Sequence, residues 1–587
     1  MQQPAGVSPH PRDSGTAATA RPPDGDVPWD LSNAARPTAE SRATVAAPLT
    51  DRLLRSWLRC RRRAWLDRHG PAEARRWSAH RALTLQDQLH SFQSLLPTRP
   101  SHGEAACRAG SEGVVGLRLR GAGPGGIRLE AHPPLLLRID SPSRWGAHAY
   151  QPVLVRQGRH LTREHRLVLA LWGRLLAAEQ GAPVPQALVL AGTGSQLQQE
   201  VFKLGSGLQQ QLEEVLPRLA QELEPGRPPP PLVNDRKKCT LCCWRSLCDR
   251  EASAEGHLSE VSGIGGKRRD LLVSLGVTSL EQLAAADPEA LAGALEEHGE
   301  QHRDVAAELV AQALVQASGE PRRRAPGDPL PELAAAPGVL LYDIESDPDA
   351  RDDFLHGLLR LERRESGWPD ASGAAKGRYH PLLALQEHGE ERLWQRLSGL
   401  LERYPDWPLL HYGETEAISL LRLAERQGAT EAERARLRRR LIDVHQRLKR
   451  HWLLPVNSYG LKAVATWLGF RWSQRGVDGA RCLLWWRQWR QDRHRAGVPL
   501  RRAAQPLERI FRYNRDDSLA TWAVARWLLE APEPAWTDLA DAPTPGASPR
   551  PAPSTTPAPS TTPDPSTTPD PSTTPDPSST PDPTPRP

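Results

Sequence analysis

The stretch from Gly338 to Ser346 (Gly-Val-Leu-Leu-Tyr-Asp-Ile-Glu-Ser) limits the fold more than any other, because an apolar run leads directly into two acids. The run predicts a buried strand, and alternate side chains of a strand share a face, so Asp343 and Glu345 are expected to point the same way. Buried carboxylates at such close range repel each other unless a cation lies between them. A site for hard divalent cations is one interpretation. A strand that ends in a solvated acidic turn, residues 343–349, is the other.

The length and charge of the chain restrict the remaining possibilities. At 587 residues it is too long for one core, so two or three domains with linkers are expected. The isoelectric point is about 9.0, and the positive charge is almost entirely arginine, since the first lysine is Lys203. Arginine pairs with phosphate and stacks on bases, which favours nucleic acid as the partner, although GC-rich codon usage produces a similar composition.

Both ends of the chain are predicted to be disordered. Residues 1–45 are rich in Pro, Ala, Asp and Ser and lack periodicity. Residues 533–587 contain a repeat of the type Pro-Ser-Thr-Thr-Pro-Asp, which blocks helix and sheet and predicts an extended spacer. The sequence shows neither a signal peptide nor an apolar run long enough to span a bilayer. A cytoplasmic location without membrane attachment is therefore expected, where clustered cysteines indicate a metal rather than disulfides.

Cysteines mark the two ends of the first predicted domain, residues 46–250. One lies in an arginine-rich helix near the start, and three more form a CxxCxxxxxC pattern at the end. These candidate ligands are Cys60, Cys239, Cys242 and Cys248. Four thiolates on one metal centre would hold the ends of the domain together. The spacing fits zinc as well as iron-sulfur, and Cys243 could replace a neighbour.

This cysteine arrangement resembles the iron-sulfur staple of RecB-like nucleases, including those of CRISPR spacer acquisition and AddB-type helicase-nucleases. The resemblance implies a [4Fe-4S] cluster on the four cysteines, with Zn²⁺ as the alternative, and a PD-(D/E)xK nuclease fold. However, Leu154 and Arg156 occupy the positions where that family has an acid and a lysine. We therefore expect a degenerate nuclease domain that does not cleave but binds nucleic acid, with Arg156 as a phosphate contact.

A short helical segment, residues 254–320, is predicted to follow. Its stretch 261–272 (Val-Ser-Gly-Ile-Gly-Gly-Lys-Arg-Arg-Asp-Leu-Leu) resembles a helix-hairpin-helix. In that motif a glycine turn lets backbone amides at a helix N-terminus approach a phosphate without reading the base sequence. The resemblance implies phosphate contacts at Gly263, Gly265 and Lys267. A plain glycine turn between two helices is the alternative.

The third predicted domain, residues 334–532, contains the acidic pair described first. Near its end, Tyr513 and Asp517 stand four residues apart, which puts them on one face of a helix. An Asp-x-Glu strand followed by a helical Tyr-x-x-x-Asp resembles the DEDD 3′–5′ exonucleases of the ribonuclease H-like fold. In that family, carboxylates hold two Mg²⁺ or Mn²⁺ ions and the tyrosine orients the attacking water. The resemblance implies these roles for Asp343, Glu345, Asp517 and Tyr513.

Two further positions are implied by the same resemblance. The remaining carboxylate of the family follows a strand, and Glu416 occupies that place, with Asp443 as the second candidate. The stretch 455–469 resembles the Ser-Tyr-x-Leu-Lys segment of YprB-type members, which makes Lys462 a candidate phosphate contact. An ordinary surface lysine on a helix is the alternative for Lys462.

The sequence therefore predicts a multidomain α/β protein with a degenerate PD-(D/E)xK domain, a helix-hairpin-helix and a ribonuclease H-like domain. The predicted function is a metal-dependent 3′–5′ exonuclease that acts on DNA or RNA, with DNA favoured as the partner. The alternative is a non-catalytic nucleic-acid-binding scaffold in which both nuclease folds are degenerate. A redox sensor based on the cysteines is a third possibility.

Overall fold

Mixed sheets flanked by helices make up the chain, so the predicted α/β class is confirmed. The computed structural model describes residues 47–76, 78–156, 160–193, 196–233, 236–347, 352–493 and 500–531. Both termini that the sequence predicts to be disordered lie outside the described residues. Among the described helices, none is long and apolar enough to cross a membrane.

The N-terminal region, residues 47–254, is built on two sheets. Its strands are β1 Leu49–Thr50, β2 Ser101–His102, β3 Gly113–Val115, β4 Leu119–Ala122, β5 Arg128–Ala131, β6 Leu135–Ile139, β7 Ala149–Arg156, β8 Gln186–Thr193 and β9 Gln196–Lys203. Its helices are α1 Asp51–Arg59, α2 Arg61–His69, α3 Ala79–Leu95, α4 Gly103–Arg108, α5 Arg163–Gln180, α6 Ser206–Glu222 and α7 Arg245–Ala254. The strand orders are β2-β3-β6-β7-β8-β9 and β1-β5-β4, and α5 packs against both sheets through its apolar face.

Short 3-10 helices occur in all parts of the chain, at Ala72–Ala74, Pro124–Gly126, Arg236–Cys239, Leu258–Glu260, Pro331–Leu333 and Gln386–His388.

A helical region follows the N-terminal region and has an apolar core of its own. Its helices are α8 Gly266–Ser274, α9 Leu280–Ala284, α10 Pro288–Glu296, α11 Glu300–Arg303 and α12 Ala306–Ser318. Helix α12 packs against both α9 and α10, and the three helices form most of this core.

The C-terminal region, from residue 322 onward, surrounds the acidic pair. Its strands are β10 Arg322–Arg323, β11 Gly338–Asp347, β12 Asp352–Glu362, β13 Arg378–Leu383, β14 Leu409–His411, β15 Leu441–Asp443 and β16 Trp452–Leu453. Its helices are α13 Ala371–Ala374, α14 Gly389–Glu402, α15 Glu414–Arg426, α16 Glu431–Arg440, α17 Val444–His451, α18 Leu461–Trp467, α19 Gly479–Asp492 and α20 Leu500–Glu530.

The main sheet of this region has the strand order β13-β12-β11-β14-β15. Strand β12 runs antiparallel to both of its neighbours, β11 and β13, whereas β14 and β15 run parallel to β11. Strand β11 is therefore central and is the point where the sheet changes from antiparallel to parallel. The two acids lie toward the carboxyl end of β11, and open α/β sheets bind ligands beyond the carboxyl ends of their strands.

Helices cover both faces of β11, which explains why its sequence is a continuous apolar run rather than an alternating one. Val339 and Leu341 face a core that includes Trp522 and Val524 of α20. Leu340 and Tyr342 face a separate core formed with α14 and α15. Four successive residues are thus buried, and the strand is fixed in register before it reaches the acids.

The N-terminal and C-terminal regions meet where α3 packs on α19. Leu83 of α3 is buried in an apolar cluster with Trp485 and Trp486 of α19. Beside it, Asp87 accepts a hydrogen bond of 2.6 Å from Arg487, which also contacts Asp347 at the end of β11. An apolar contact and a shared ion pair therefore connect the first region to the strand that carries the acids.

We expect Leu83→Ala to lower the free energy of unfolding by about 2–3 kcal/mol, because a buried leucine loses its contacts and leaves a cavity. The matched control is Leu85→Ala on the same helix, where the side chain is 40% exposed and the expected change is within about 0.5 kcal/mol. Chemical denaturation of the full chain measures both. Equal effects of the two substitutions would contradict the packing of α3 on α19.

Candidate metal centre

Strand β11 carries two of the predicted ligands to one face of the sheet. Asp343 is paired with Gly357 and Glu345 with Leu355 across the antiparallel ladder, and the register shifts immediately after Glu345. Asp517 of α20 joins them, and the three carboxylates offer oxygen atoms that lie within 4.8 Å of one another. Glu345 and Asp517 are buried, and Asp343 is half-buried. The structure thus brings together three acids of which the first, Asp343, and the last, Asp517, are more than 170 residues apart in sequence.

Helix α20 delivers the tyrosine one turn before the third acid. The Tyr513 hydroxyl hydrogen-bonds the Asp517 carboxylate, and its side chain is buried. The Nε1 of Trp472 donates a second hydrogen bond, of 2.6 Å, to Oδ1 of Asp517. Two donors from different elements therefore fix this carboxylate.

Lys462 of α18 lies at the rim of the same centre. Its Nζ is 4.9 Å from the ring centroid of Tyr513 and donates a 2.8 Å hydrogen bond to the carbonyl of Val477. Its positive charge also lowers the pKa of Glu345 and of Asp517, partly offsetting burial. Lys462 is exposed, so its ammonium group is accessible beside the acids.

Asn514 holds the acidic pair, a role that the sequence analysis missed. It is fully buried, its Nδ2 donates a 2.6 Å hydrogen bond to Oδ2 of Asp343, and it also hydrogen-bonds Glu345. Its Oδ1 accepts a 2.8 Å hydrogen bond from the hydroxyl of Tyr379. A Cβ at Gly357 would lie only 1.8 Å from this Oδ1, so glycine is required opposite Asp343. The only available sequence signal was the position of Asn514 between Tyr513 and Asp517.

The electrostatics of the centre favour a cation. Burial raises the pKa of Asp343 well above its usual range, and the nearby carboxylates of Asp517 and Glu345 raise it further. Burial also raises the pKa of Glu345, and it raises the pKa of Asp517 to about 6 although Trp472 donates to it. Negative charges that are crowded and poorly hydrated are stabilised by a divalent ion. An all-oxygen donor set of this kind fits Mg²⁺ or Mn²⁺.

Glu416 and Asp443, the two candidates for the fourth carboxylate, differ in how they are held. Glu416 lies in the first turn of α15, outside the group defined by the 4.8 Å limit. Its buried Oε2 has no hydrogen-bond partner among the described residues, and burial raises its pKa to about 7. Asp443 instead accepts hydrogen bonds from the backbone amides of Gly413 (3.0 Å) and Gln446 (3.2 Å). Of the two candidates, Glu416 is therefore the one whose carboxylate is available to bind a metal ion.

The predicted cysteine ligands are brought together only in part. Cys60 lies at the junction of α1 and α2. Burial raises the pKa of Cys239 and of Cys248, and the nearby Cys60 raises both further. Cys242 is hydrogen-bonded to Cys243, which raises the pKa of Cys242 and lowers that of Cys243 to about 6.

The spacing of these thiols differs from that of bound zinc. Thiolates about 2.3 Å from one zinc ion would lie roughly 4 Å apart. Within the described part of the chain, no three cysteines have sulfur atoms within 4.8 Å of one another. Arginine side chains surround the thiols, since Arg62 hydrogen-bonds Cys248 and Arg63 lowers the pKa of Cys243. A cationic shell of this kind suits an anionic thiolate centre.

The positions that a PD-(D/E)xK nuclease would use have other roles. Leu154 of β7 is buried in the apolar core of the N-terminal region. Arg156, at the end of the same strand, has an 11% exposed side chain and lies 3.8 Å from the carboxylate of Glu200. Neither residue supplies a carboxylate for a metal.

The predicted hairpin turn lies before α8. Gly263 is exposed and has a φ of 91°, a conformation that favours glycine. Gly265 is the N-cap of α8, and Lys267 is exposed in its first turn. The guanidinium of Arg268 donates a 2.6 Å hydrogen bond to the carbonyl of Gly263 and so fixes the turn.

Comparison with known proteins supports the C-terminal assignment. No curated protein matches the chain. Residues 340–529 match the family model of the RNase H superfamily, and this range includes the main sheet except for its first residues, together with all of the proposed acids. The C-terminal region therefore contains a ribonuclease H-like domain.

Proposed function

We propose that the protein is a metal-dependent nuclease whose chemistry takes place at the carboxylate centre of the C-terminal region. The observation that carries the proposal is the buried group of Asp343, Glu345 and Asp517, with oxygen atoms within 4.8 Å of one another. The match to the RNase H superfamily supports a nuclease-type activity for a region that holds such a group.

Each residue of the centre has a role that follows from its position. Asp343, Glu345 and Asp517 would hold Mg²⁺ or Mn²⁺, and Glu416 would complete the site from the start of α15. When bound, the cations activate the attacking water and stabilise the charge that develops on the phosphate oxygens. Burial raises the pKa of Tyr513, so its hydroxyl stays protonated at neutral pH and can position water as a donor.

We also propose 3′–5′ exonuclease polarity, with DNA as the favoured substrate. This finer assignment rests on the resemblance of the Asp-x-Glu and Tyr-x-x-x-Asp pairs to the DEDD exonucleases. The exposed turn at Gly263 and the N-terminus of α8 supply backbone amides suited to phosphate, which supports a role in binding DNA. Arg156 faces Glu200, which weakens the case for it as a phosphate contact.

A non-catalytic scaffold is the second candidate function. It is favoured by the position of Glu416, which lies outside the compact acidic group, and by the burial of Leu154 where a nuclease would have an acid. Metal-dependent cleavage by the purified protein separates the two candidates. The scaffold would bind nucleic acid without cutting it.

The cysteines are proposed to hold a [4Fe-4S] cluster, with Zn²⁺ as the alternative. Cys60, Cys239 and Cys248 already interact, and Cys242 would join them by exchanging its hydrogen bond to Cys243 for a metal bond. The group would connect α1 and α2 to α7 and the segment before it, and its role would be structural.

We expect Asp343→Ala to abolish hydrolysis of end-labelled DNA or RNA in Mn²⁺ while nucleic-acid binding is retained, because the substitution removes a carboxylate from the centre of the group. Gel analysis of the products measures cleavage and polarity together. Activity equal to that of the wild type would assign cleavage to another site.

The matched control is Asp343→Asn, which keeps the shape and can still accept the hydrogen bond from Asn514. It should also be inactive. Burial raises the pKa of Asp343, so stability is lost as the pH rises above the range in which the carboxyl of the unfolded chain titrates. Without metal, Asp343→Asn should therefore unfold at a higher temperature than the wild type. Mn²⁺ should raise the unfolding temperature of the wild type more than that of Asp343→Asn.

A second substitution tests the positioning of the acids. Asn514→Ala should weaken Mn²⁺ binding about 10- to 100-fold, the usual effect of losing a partner that orients metal ligands. Titration calorimetry measures the affinity. Excess Mn²⁺ should restore activity to Asn514→Ala but not to Asp343→Ala, and Tyr379→Phe should have a smaller effect because it only frees Oδ1 of Asn514. Unchanged Mn²⁺ affinity in Asn514→Ala would contradict this role.

Protein purified without oxygen should be brown and contain about four irons per chain, the content of a cubane cluster. Cys248→Ser should lower the iron content and destabilise the N-terminal region, whereas Cys107→Ser should leave the iron content unchanged because Cys107 is buried among apolar residues. Iron analysis and visible absorbance measure both. Colourless protein with stoichiometric zinc would show that the cysteines bind zinc instead of an iron-sulfur cluster.

A further inference from the structure

A cleft lies between the helical region and the C-terminal region. It has a volume of about 640 Å³. One wall includes Ser253 and Gln316, and the other includes Lys462, Thr466 and Trp467 of α18. The walls therefore come from parts of the chain that are more than 140 residues apart in sequence, as the contacts between them show.

Buried hydrogen bonds fix the two walls relative to each other. The side chain of Gln312 on α12 donates a 2.9 Å hydrogen bond to the carbonyl of Leu454 and accepts one of 3.0 Å from the hydroxyl of Tyr459. All of these groups are buried. The cleft is thus formed in the protein without a ligand, which limits the entropy lost when a ligand binds.

Two residues that line the cleft contact the hairpin turn and the carboxylate centre. Gln316 accepts a 3.1 Å hydrogen bond from the amide of Ser262, which belongs to the turn. The ammonium group of Lys462 lies 4.9 Å from the ring centroid of Tyr513, which is hydrogen-bonded to Asp517. A ligand in the cleft would therefore contact residues that lie next to both the hairpin turn and the carboxylate centre.

The chemistry of the walls suits a phosphodiester strand. Glu260 lines the cleft, but Arg236 at 2.6 Å and Asn457 at 3.1 Å satisfy its carboxylate. Because the charge of Glu260 is balanced by Arg236, the charge of Lys462 makes the lining positive. Trp467 is partly exposed and is held by an edge contact with Trp527, with ring centroids 5.5 Å apart. A positive group and a fixed aromatic ring in the same cleft are the combination that binds single strands.

We propose that this cleft binds a single-stranded segment of nucleic acid next to the end that enters the carboxylate centre. Its volume lies in the range of about 300–1,000 Å³ that is typical of small-ligand pockets, which suits a short stretch of single strand. The inference rests on the proposed nuclease function for the identity of the ligand. Beyond the proposed nuclease function, the inference specifies a single-stranded substrate and the surface that binds this strand.

The test is fluorescence anisotropy with the full chain, in Ca²⁺ to allow binding without cleavage. The probes are fluorescein-labelled single strands of DNA and of RNA and a DNA duplex of the same sequence. Trp467→Leu keeps an apolar side chain but removes the ring face, so single-strand binding should weaken about tenfold. Trp467→Phe should bind nearly as well as the wild type.

A charge pair provides an independent comparison on the same helix. Thr466 is exposed in the cleft, so Thr466→Glu should weaken binding severalfold and Thr466→Gln should not. The matched control, Gln211→Glu, places the same charge on the exposed surface of α6 and should leave binding unchanged. Circular dichroism confirms that each variant is folded.

The outcomes separate this inference from the proposed function. Single-strand binding that depends on Trp467 and Thr466 supports the cleft even if no cleavage occurs, and that result would overturn the nuclease alone. Metal-dependent cleavage with binding unaffected by Trp467→Leu and Thr466→Glu would overturn the cleft alone. Preference for the duplex, or no binding to any probe, would overturn the inference as well. The DNA and RNA probes show which strand is favoured.

Discussion

Repulsion among Asp343, Glu345 and Asp517 is the constraint on which the C-terminal region depends. Three carboxylates whose oxygen atoms approach within 4.8 Å in a buried setting destabilise the protein unless hydrogen bonds or cations offset the repulsion. The described residues supply hydrogen bonds from Asn514, Trp472 and Tyr513. A group that costs stability in the absence of metal is typical of a functional site, since packing alone gives no reason for it.

The geometry of the centre depends on the register between β11 and β12. Because Asp343 is paired with Gly357, the missing side chain on β12 leaves the space that Asn514 fills from α20. A shift by one residue would place a bulkier neighbour there and would also turn the acids to the other face of the sheet. The apolar residues before Asp343, which are buried on both faces, prevent such a shift. The core of the sheet and the centre are therefore parts of one arrangement.

Sequence patterns predicted what depends on local periodicity. The alternation of a strand and the turn of a helix were sufficient to group Asp343 with Glu345 and Tyr513 with Asp517, and the superfamily match confirms the ribonuclease H-like domain that contains them. Asn514 was missed because its role depends on a glycine in another strand. The choice between Glu416 and Asp443 stayed open for a similar reason, since spacing does not reveal that backbone amides already occupy Asp443. The hydrogen bond between Cys242 and Cys243 likewise depends on side-chain orientation, which spacing does not determine.

The same strand also links the centre to the N-terminal region. Asp347 lies two residues beyond Glu345 on β11 and pairs with Arg487, which extends to Asp87 of α3. Arg487 belongs to α19. The first residue of this helix, Gly479, lies next to Glu345, because a Cβ added to Gly479 would be 3.9 Å from the Glu345 carboxylate. A displacement of α3 would remove one carboxylate from Arg487 and a leucine from the apolar cluster against α19. Because α19 adjoins Glu345, the packing of the N-terminal region affects the wall of the carboxylate centre. This region can therefore influence the geometry of the carboxylate centre even though Leu154 and Arg156 supply no carboxylate of their own.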